Sequence, residues 1–350
     1  MTGSRVHGLS GDLVAPDWPP LELDELAAVL PARGIRWASP RPLSAAALVE
    51  TADGVVFVKR HDVRVRDLAG LAEEHAFAAH LRAAGAPVPE VLDAVQVGDW
   101  CYEVHALGQG QDRYRDVPSW EPFASPADAR AAGAALARLS RCAEGFDAAH
   151  RPPRLLVAGW HGVSPAGLRS YVDGRPDVAA ALGDRLPEVE EVLGPLQARL
   201  APLLPELSPG WTHGDGHASN LLWSAGEVSA VLDLGLCDRT TPVFDLVTAV
   251  ERNAVSWLAA DPTADLALLD ALVAGWEAER PLSDAERAAL PALLPLVHVD
   301  FALSELAYYA CVLGSAANAE LALSGYLLGH ARWASSPAGV ALLDHLRCLS

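Results

Sequence analysis

The sequence predicts an α+β chain in two lobes: a small β-rich amino-terminal lobe and a larger, mostly helical carboxy-terminal lobe. Three observations carry that prediction. Short strand segments joined by an Asp-Gly turn lie near the amino terminus. Ala/Leu-rich segments with helical spacing fill most of the chain from residue 126 onward. One hairpin pattern, at 220–233, interrupts the helical half, and the polar stretch GWTHGDGHASNLLW at 210–223 runs into it.

The elements follow in order. LDELAAVLPAR at 23–33 reads as a short helix ending at Gly34. Residues 46–50 and 55–59 read as strands about the turn Ala52-Asp53-Gly54, a hairpin signal. Residues 68–85 place Leu71, Glu74, Phe77 and Leu81 at helical spacing before Gly85. Trp100 to His105 reads as another strand. Ser125-Pro126 supplies an N-cap and a first-turn proline for a helix through Cys142. Residues 148–165 form an irregular connector, while most of 165–207 and 243–349 reads helical. The expected organisation is an extension at 1–22, a sheet-plus-helix lobe at 23–105, a linker at 106–112 and a helical lobe at 113–350.

Composition narrows the function classes. Of 350 residues, 51% are apolar and 20% charged, enough for one large core or two smaller ones. A formal charge of −19 argues against nucleic acid as a partner, because phosphate binding needs a surplus of Lys and Arg on one face. The acidic surface serves solubility and is compatible with a cationic ligand. The first 20 residues lack the continuous apolar run of a signal peptide, and no uninterrupted apolar run suits a membrane span. Five cysteines without a C-x-x-C suggest a reducing, cytoplasmic setting. The oligomeric state is not readable. The basic residues are 25 Arg and one Lys, Lys59. A lysine that stands alone among so many arginines suggests a place where a compact ammonium is needed rather than a planar fork.

The chemistry concentrates at 213–233. Asn220 to Ser224 and Val228 to Asp233 read as two strands about Ala225-Gly226-Glu227. Antiparallel pairing about that turn sets 224 opposite 229, 222 opposite 231 and 220 opposite 233. Directly opposed residues have Cβ atoms about 5 Å apart, so Asn220 and Asp233 should meet at the open end. Asp215 lies on the loop entering that end. An amide oxygen and a carboxylate beside a third carboxylate suit Mg²⁺ with substrate phosphates. Asp, then Asn five residues on, then Asp-x-Gly after a hairpin is the layout of a kinase catalytic loop and metal loop. Upstream, Lys59 closes a strand and Glu74 lies on the next helix.

These residues resemble the aminoglycoside phosphotransferase and choline kinase family of small-molecule kinases, whose fold is protein-kinase-like. The resemblance rests on His213-Gly214-Asp215 with Asn220, on Val231-Leu232-Asp233-Leu234-Gly235, on Phe57-Val58-Lys59, on Glu74 and on Asp245 in PVFDLVTAV. It spans roughly residues 45–250 and weakens in the helical tail. It implies Asp215 as catalytic base or orienter of the acceptor hydroxyl. Asn220 and Asp233 would hold Mg²⁺. Lys59 and Glu74 would form a phosphate-positioning pair, and Glu103 to Ala106, including His105, would meet adenine through the backbone. Asp245 would brace the catalytic loop, with His213 as further structural support. The sequence departs from a protein kinase in SPRPLSAA before Leu48, which has no glycine; Ser44 is the phosphate-contact candidate there. Ser140 stands where the family often has histidine.

The same residues admit other readings. A lone His-Gly-Asp is usually a turn, and only the joint pattern is specific. Asp215-Gly216-His217 could suggest a two-metal phosphoesterase, but none of the three asparagines precedes a histidine. His217 is then a loop-bracing residue. Helical phase favours Glu74 over Glu73 beside Lys59. Cys101 and Cys237 read as buried spectators. In PLVHVDFALSELAYYACVLG at 295–314, Asp300, Glu305 and Tyr308 are substrate-contact candidates; internal hydrogen bonding serves equally. The expected activity is transfer of the γ-phosphate of ATP, or GTP, to a hydroxyl of a small molecule. An aminoglycoside-like or other antibiotic is the first acceptor class. A homoserine- or choline-like metabolite, or a catalytically silent kinase-like binding protein, is the alternative.

Overall fold

A computed structural model describes residues 16–41 and 43–349; most of the predicted extension therefore lies outside the described residues. The amino-terminal lobe begins with α1 (Leu23–Leu26), β1 (Gly34–Ala38), β2 (Ala45–Glu50) and β3 (Val55–Asp62). It continues with α2 (Leu68–Ala83), β4 (Val91–Val97) and β5 (Trp100–Ala106). The five strands form one antiparallel sheet in the order β1-β2-β3-β5-β4. Val49, Val58, Tyr102 and Val104 pack on one face of it with Leu21 and Leu26.

Two departures from the sequence reading have local causes. The helix expected over 23–33 stops at Leu26, because Pro31 cannot continue the ladder and Gly34–Ala38 finds better partners along the free edge of β2. Val91–Val97 pairs with β5 as an additional strand, directly after the turn signals at Pro87 and Pro89.

The larger lobe holds α3 (Pro126–Cys142), α4 (Pro165–Asp173), α5 (Pro176–Leu182) and α6 (Leu186–Leu200). Short strands β6 (Gly210–Thr212), β7 (Leu221–Ser224), β8 (Glu227–Val231) and β9 (Asp238–Thr240) carry the polar stretch. The helices α7 (Val243–Asn253), α8 (Leu266–Glu279), α9 (Asp284–Leu293) and α10 (Val299–Ala307) follow, and residues 316–348 are mostly helical. Ser125 caps α3 by accepting from the Asp128 N–H, with Pro126 in the first turn. The helices α3 and α8 approach closely enough that a Cβ on Gly133 would lie 2.1 Å from the Leu272 carbonyl oxygen, and one on Gly275 2.0 Å from that of Arg130. By length and composition the run Asp284–Val312 could cross a membrane, yet 94% of its most apolar window is buried, as in a core helix.

The β7–β8 hairpin forms, but its register differs from the predicted one, by two residues at the turn and by one toward the open end. Leu222 opposes Ala230 and Leu221 opposes Val231, with an irregularity between Leu222 and Trp223. The turn is a tight two-residue one, with Ser224 opposite Glu227, Ala225 at φ 51° and Gly226 at φ 88°; the extra residue is Ser229 on β8, between the 222–230 and 223–228 pairs. The Leu232 N–H consequently donates to the Asn220 carbonyl at 2.8 Å, and Asp233 lies just past the ladder.

Candidate active site

A cavity of about 560 Å³ opens between the sheet and α2 on one side and the 215–236 segment on the other. Lys59, Ser44, Glu74, Glu103, His105, Asp215, Asn220, Asp233 and Glu305 all line it.

The loop carrying Asp215 is fixed from below. Asp245, buried on α7, accepts from the backbone N–H of His213 at 2.9 Å and of Gly214 at 2.8 Å. Burial pushes the Asp245 carboxyl up, while His213 and these two donors pull against that shift. Gly214 takes φ +79°, and a Cβ there would lie 2.5 Å from the Leu236 carbonyl oxygen, so only glycine fits. His213 Nδ1 accepts from the Asp215 N–H at 3.1 Å, which leaves Nε2 to donate to the Leu232 carbonyl at 2.8 Å. One imidazole thereby ties the Asp215 loop to the end of the hairpin. His217 braces the other side: its Nε2 accepts from the Trp120 N–H at 2.9 Å, and burial lowers it to about 3, so it stays neutral.

Asn220 Nδ2 donates to Asp215 Oδ2 at 2.9 Å and to the Asp215 carbonyl at 3.1 Å. That leaves its amide oxygen as the atom it can offer a cation. Asp233 sits in the left-handed region at φ 58°, an uncommon conformation for a residue with a Cβ. Its two oxygens accept from Lys59 Nζ at 2.9 and 3.0 Å. Burial alone would raise the Asp233 carboxyl; Lys59 overrides it and holds it at about 2. The same burial opposes the Lys59 ammonium, yet Asp233, Glu103 and Glu74 keep it above its ordinary value. An ionised carboxylate and an amide oxygen beside Asp215 are hard oxygen donors, and this set fits Mg²⁺.

Several expectations need correction. Glu74 faces the cavity but does not pair with Lys59. Its carboxylate is bound by two buried guanidiniums, Arg66 Nε at 2.7 Å and a terminal nitrogen of Arg151 at 2.7 Å. Arg66 and Arg151 also donate to the Gly235 carbonyl, so Glu74 anchors α2 to the segment after Asp233. Glu73 is bound by Arg151 and Arg154. Strand β5 runs through Ala106 with partners on both sides, so the backbone of Glu103–Ala106 is engaged in the sheet. On that segment, unpaired chain lining the cavity begins at Leu107 and Gly108. Asp300 lies outside this cavity and is spent on the 161–162 turn, accepting from the N–H groups of His161 and Gly162 at 2.8 and 2.6 Å. Tyr308 also lies outside it, and its hydroxyl donates to Asp17 at 3.0 Å.

Other cavity residues are not apparent in the sequence. Arg252, the penultimate residue of α7, lies with Nε 3.4 Å from Asp215 Oδ1 and stacks 4.1 Å from the Trp120 ring centre. Phe301 joins it, as does Glu305, already a substrate-contact candidate from the sequence. Arg41 enters from the loop before β2 and bonds Ser219 Oγ. Burial lowers its pKa, and the carboxylates of Asp112, Asp233 and Asp215 pull it back. The only sequence signal for Arg41 and Arg252 was their charge, which twenty-five arginines share.

Comparison with known proteins accords with this arrangement. The sequence model of the phosphotransferase enzyme family (APH) matches residues 43–303, most of the chain. The homoserine kinase of Gluconobacter oxydans (strain 621H) is 32% identical over 175 residues, covering 50% of this chain and 51% of that protein. The chain spans about half the length of the curated relatives it matches. Among solved structures, the gentamicin–APH(2")-IIa complex superposes with a TM-score of 0.54 at 14% identity, over 92% of this chain and 99% of that one. Macrolide 2'-phosphotransferase MphH from Brachybacterium faecium superposes with a TM-score of 0.53 at 20% identity, over 87% and 97%. At such identities the likeness is one of fold, and the two-lobed α+β fold is protein-kinase-like.

Proposed function

The chain belongs to the phosphotransferase enzyme family, and we propose that it transfers the γ-phosphoryl group of ATP, or GTP, to a hydroxyl of a small molecule in the cytoplasm. The observation that carries this reading is the shared cavity, which gathers Lys59, Asp215, Asn220 and Asp233 on one space. Asp215 orients the acceptor hydroxyl and takes its proton as the hydroxyl oxygen bonds to the γ-phosphorus and the bond to the β-phosphate oxygen breaks. Lys59 and Arg41 meet the phosphates, and Ser44 is a further contact. Asn220 and Asp233 would hold Mg²⁺, which supplies charge neutralisation on the phosphate oxygens. The Leu107–Gly108 backbone, rather than Glu103–Ala106, is the stretch free to meet the base.

For the acceptor, the wall around Asp215 favours the metabolite alternative over an antibiotic. Arg252 stacks there on Trp120 and Phe301, and Glu305 lines the same cavity within electrostatic reach of it. A guanidinium and a carboxylate on the wall of one cavity suit a small zwitterionic amino alcohol of the homoserine type: carboxylate toward Arg252, ammonium toward Glu305, hydroxyl on Asp215. A polycationic antibiotic would have to set amines against the buried Arg252. The homoserine kinases that match half of the chain point the same way.

The test is ADP release and mass-detected phosphoproduct across L-homoserine, L-serine, choline, an aminoglycoside and a macrolide. Turnover of L-homoserine above the others is expected. Turnover of an antibiotic alone would overturn the acceptor reading. Nucleotide binding without transfer to any of the five, or to water, would favour the silent binding protein.

A further inference from the structure

Phosphoryl transfer leaves one cluster in the cavity wall without a task. Glu103, on β5 and 5% exposed, receives three imidazoles. His61 Nε2 on β3 lies 2.8 Å from its Oε1, while His105 Nε2 on β5 and His75 Nε2 on α2 lie 2.8 and 3.1 Å from its Oε2. Three secondary-structure elements converge here. Period-two alternation puts Lys59 and His61, and Glu103 and His105, on the same sheet face, since Lys59 opposes Glu103 in the ladder. His75 reaches the same point from α2. All four side chains line the cavity, so a solute can reach them from it.

We propose that His61, His75, Glu103 and His105 form a binding site for a borderline divalent transition-metal ion, Zn²⁺ by preference, distinct from the Asn220–Asp233 oxygen set. Three imidazole nitrogens and one carboxylate oxygen are the donors such ions take, at about 2.0–2.2 Å from the metal. Tetrahedral ligands at that radius stand about 3.3 Å from one another. The nitrogen-to-oxygen separations of 2.8–3.1 Å need only a few tenths of an ångström of opening; the ligand atoms of His75, Glu103 and His105 already lie within 4.8 Å of one another, while His61, on the other carboxylate oxygen, stands outside that group and has to turn toward it. Rotation of the His61 and Glu103 side chains would complete the set. The carboxylate carries the one negative charge of the set, so the filled site would hold a net positive charge. A bound ion would cross-link β3, β5 and α2.

The experiment uses the full chain, stripped with a chelator and titrated with Zn²⁺ and with Co²⁺ in the presence of excess Mg²⁺. One Co²⁺ per chain, with the visible absorption of a four-coordinate nitrogen and oxygen site, is expected, together with a rise in unfolding temperature on adding Zn²⁺. His75→Gln/His105→Gln should weaken Zn²⁺ binding by at least about 100-fold while its metal-free circular dichroism and unfolding temperature stay at the wild-type values. If that pair fails to fold, Glu103→Gln, which keeps shape and one acceptor oxygen, provides the same comparison. His345→Gln, which removes the exposed His345–Asp270 pair, should change nothing. Absence of micromolar binding, or binding retained in the His75/His105 variant, would overturn the assignment and leave the cluster as a carboxylate satisfied by three N–H donors. An anomalous-scattering peak outside the four side chains would do the same.

Discussion

Glu74→Ala separates two roles for the α2 carboxylate. If Glu74 oriented Lys59, its removal would chiefly harm nucleotide use. The structure gives it another partner set: Arg66 and Arg151, both nearly fully buried, each 2.7 Å from Oε1. Deleting one partner of a buried ion pair strands the other charge, at a cost of about 3–5 kcal/mol. Stranding is incomplete here. Arg66 keeps the carbonyls of Val65, Leu155, Leu156 and Gly235, and Arg151 keeps Glu73 and the carbonyls of Gly70, Gly235 and Cys237. The lower end, about 3 kcal/mol, is therefore expected. That is a large share of the roughly 5–15 kcal/mol typical of a folded protein. Urea unfolding read by tryptophan fluorescence and by circular dichroism measures it. Glu73→Ala is the control: a half-buried carboxylate with Arg151 and Arg154 should cost about 0.5–1 kcal/mol. A Glu74→Ala loss no greater than that of Glu73→Ala, or lost turnover at unchanged stability, would refute the anchoring argument.

Three further outcomes follow from the same geometry. Asp215→Asn should retain fold and nucleotide binding yet lose at least about two orders of magnitude in kcat, and a near-normal rate would remove Asp215 from the mechanism. Asn220→Ala and Asp233→Ala should each weaken Mg²⁺-dependent ATP affinity; equilibrium binding with and without Mg²⁺ decides, and unchanged constants in both would reject the shared-ion arrangement. Asp238→Asn should stabilise the protein near neutral pH. Burial raises this carboxyl to about 6, despite two backbone donors at 2.9 and 2.7 Å that an amide oxygen can also accept. A raised carboxyl binds more protons folded than unfolded between about pH 4 and 6, so wild-type stability falls across that window. The variant should gain about 1–3 kcal/mol above pH 6 and little below pH 4. A difference from wild type that does not vary with pH would show that Asp238 does not titrate as described.

What the sequence disclosed and what it hid divide along physical lines. The hairpin at 220–233 was legible because apolar alternation and a glycine turn are local. Its register was not, because the length of the turn and the extra residue Ser229 on β8 together set Asn220 against Leu232 rather than Asp233. Lys59 stood out by being alone, but its partner did not. Helical phase correctly turned Glu74 inward; it could not say that Arg151, from an irregular connector, would claim the carboxylate first. Along α10, Asp300 and Glu305 are five residues apart, about 140° around a helix, so one face could not present both to the cavity. Glu305 faces it, whereas Asp300 holds the 161–162 turn. Strand pairing likewise decided the 103–106 segment: a backbone flanked by β3 and β4 has spent its donors on the sheet.

The Lys59–Asp233 bond constrains how the proposed reaction starts. Both groups are wanted elsewhere in phosphoryl transfer, the ammonium on phosphate oxygens and the carboxylate on the metal. Drawing Lys59 to the phosphates without a cation would leave the Asp233 carboxylate, held ionised, facing a polyanion. Supplying Mg²⁺ without nucleotide would set a dication against an ammonium about 3 Å from the same oxygens. Only nucleotide and cation together exchange one ion pair for two. Arg41 extends the argument to the loop that has no glycine. Where a glycine-rich loop offers backbone N–H groups, residues 39–44 offer a guanidinium already surrounded by Asp112, Asp215 and Asp233. Its charge is neutralised by carboxylates until phosphates compete for it. The cavity is therefore balanced internally. On the proposed function, that balance makes Mg²⁺ and ATP bind each other's site more tightly than either binds alone.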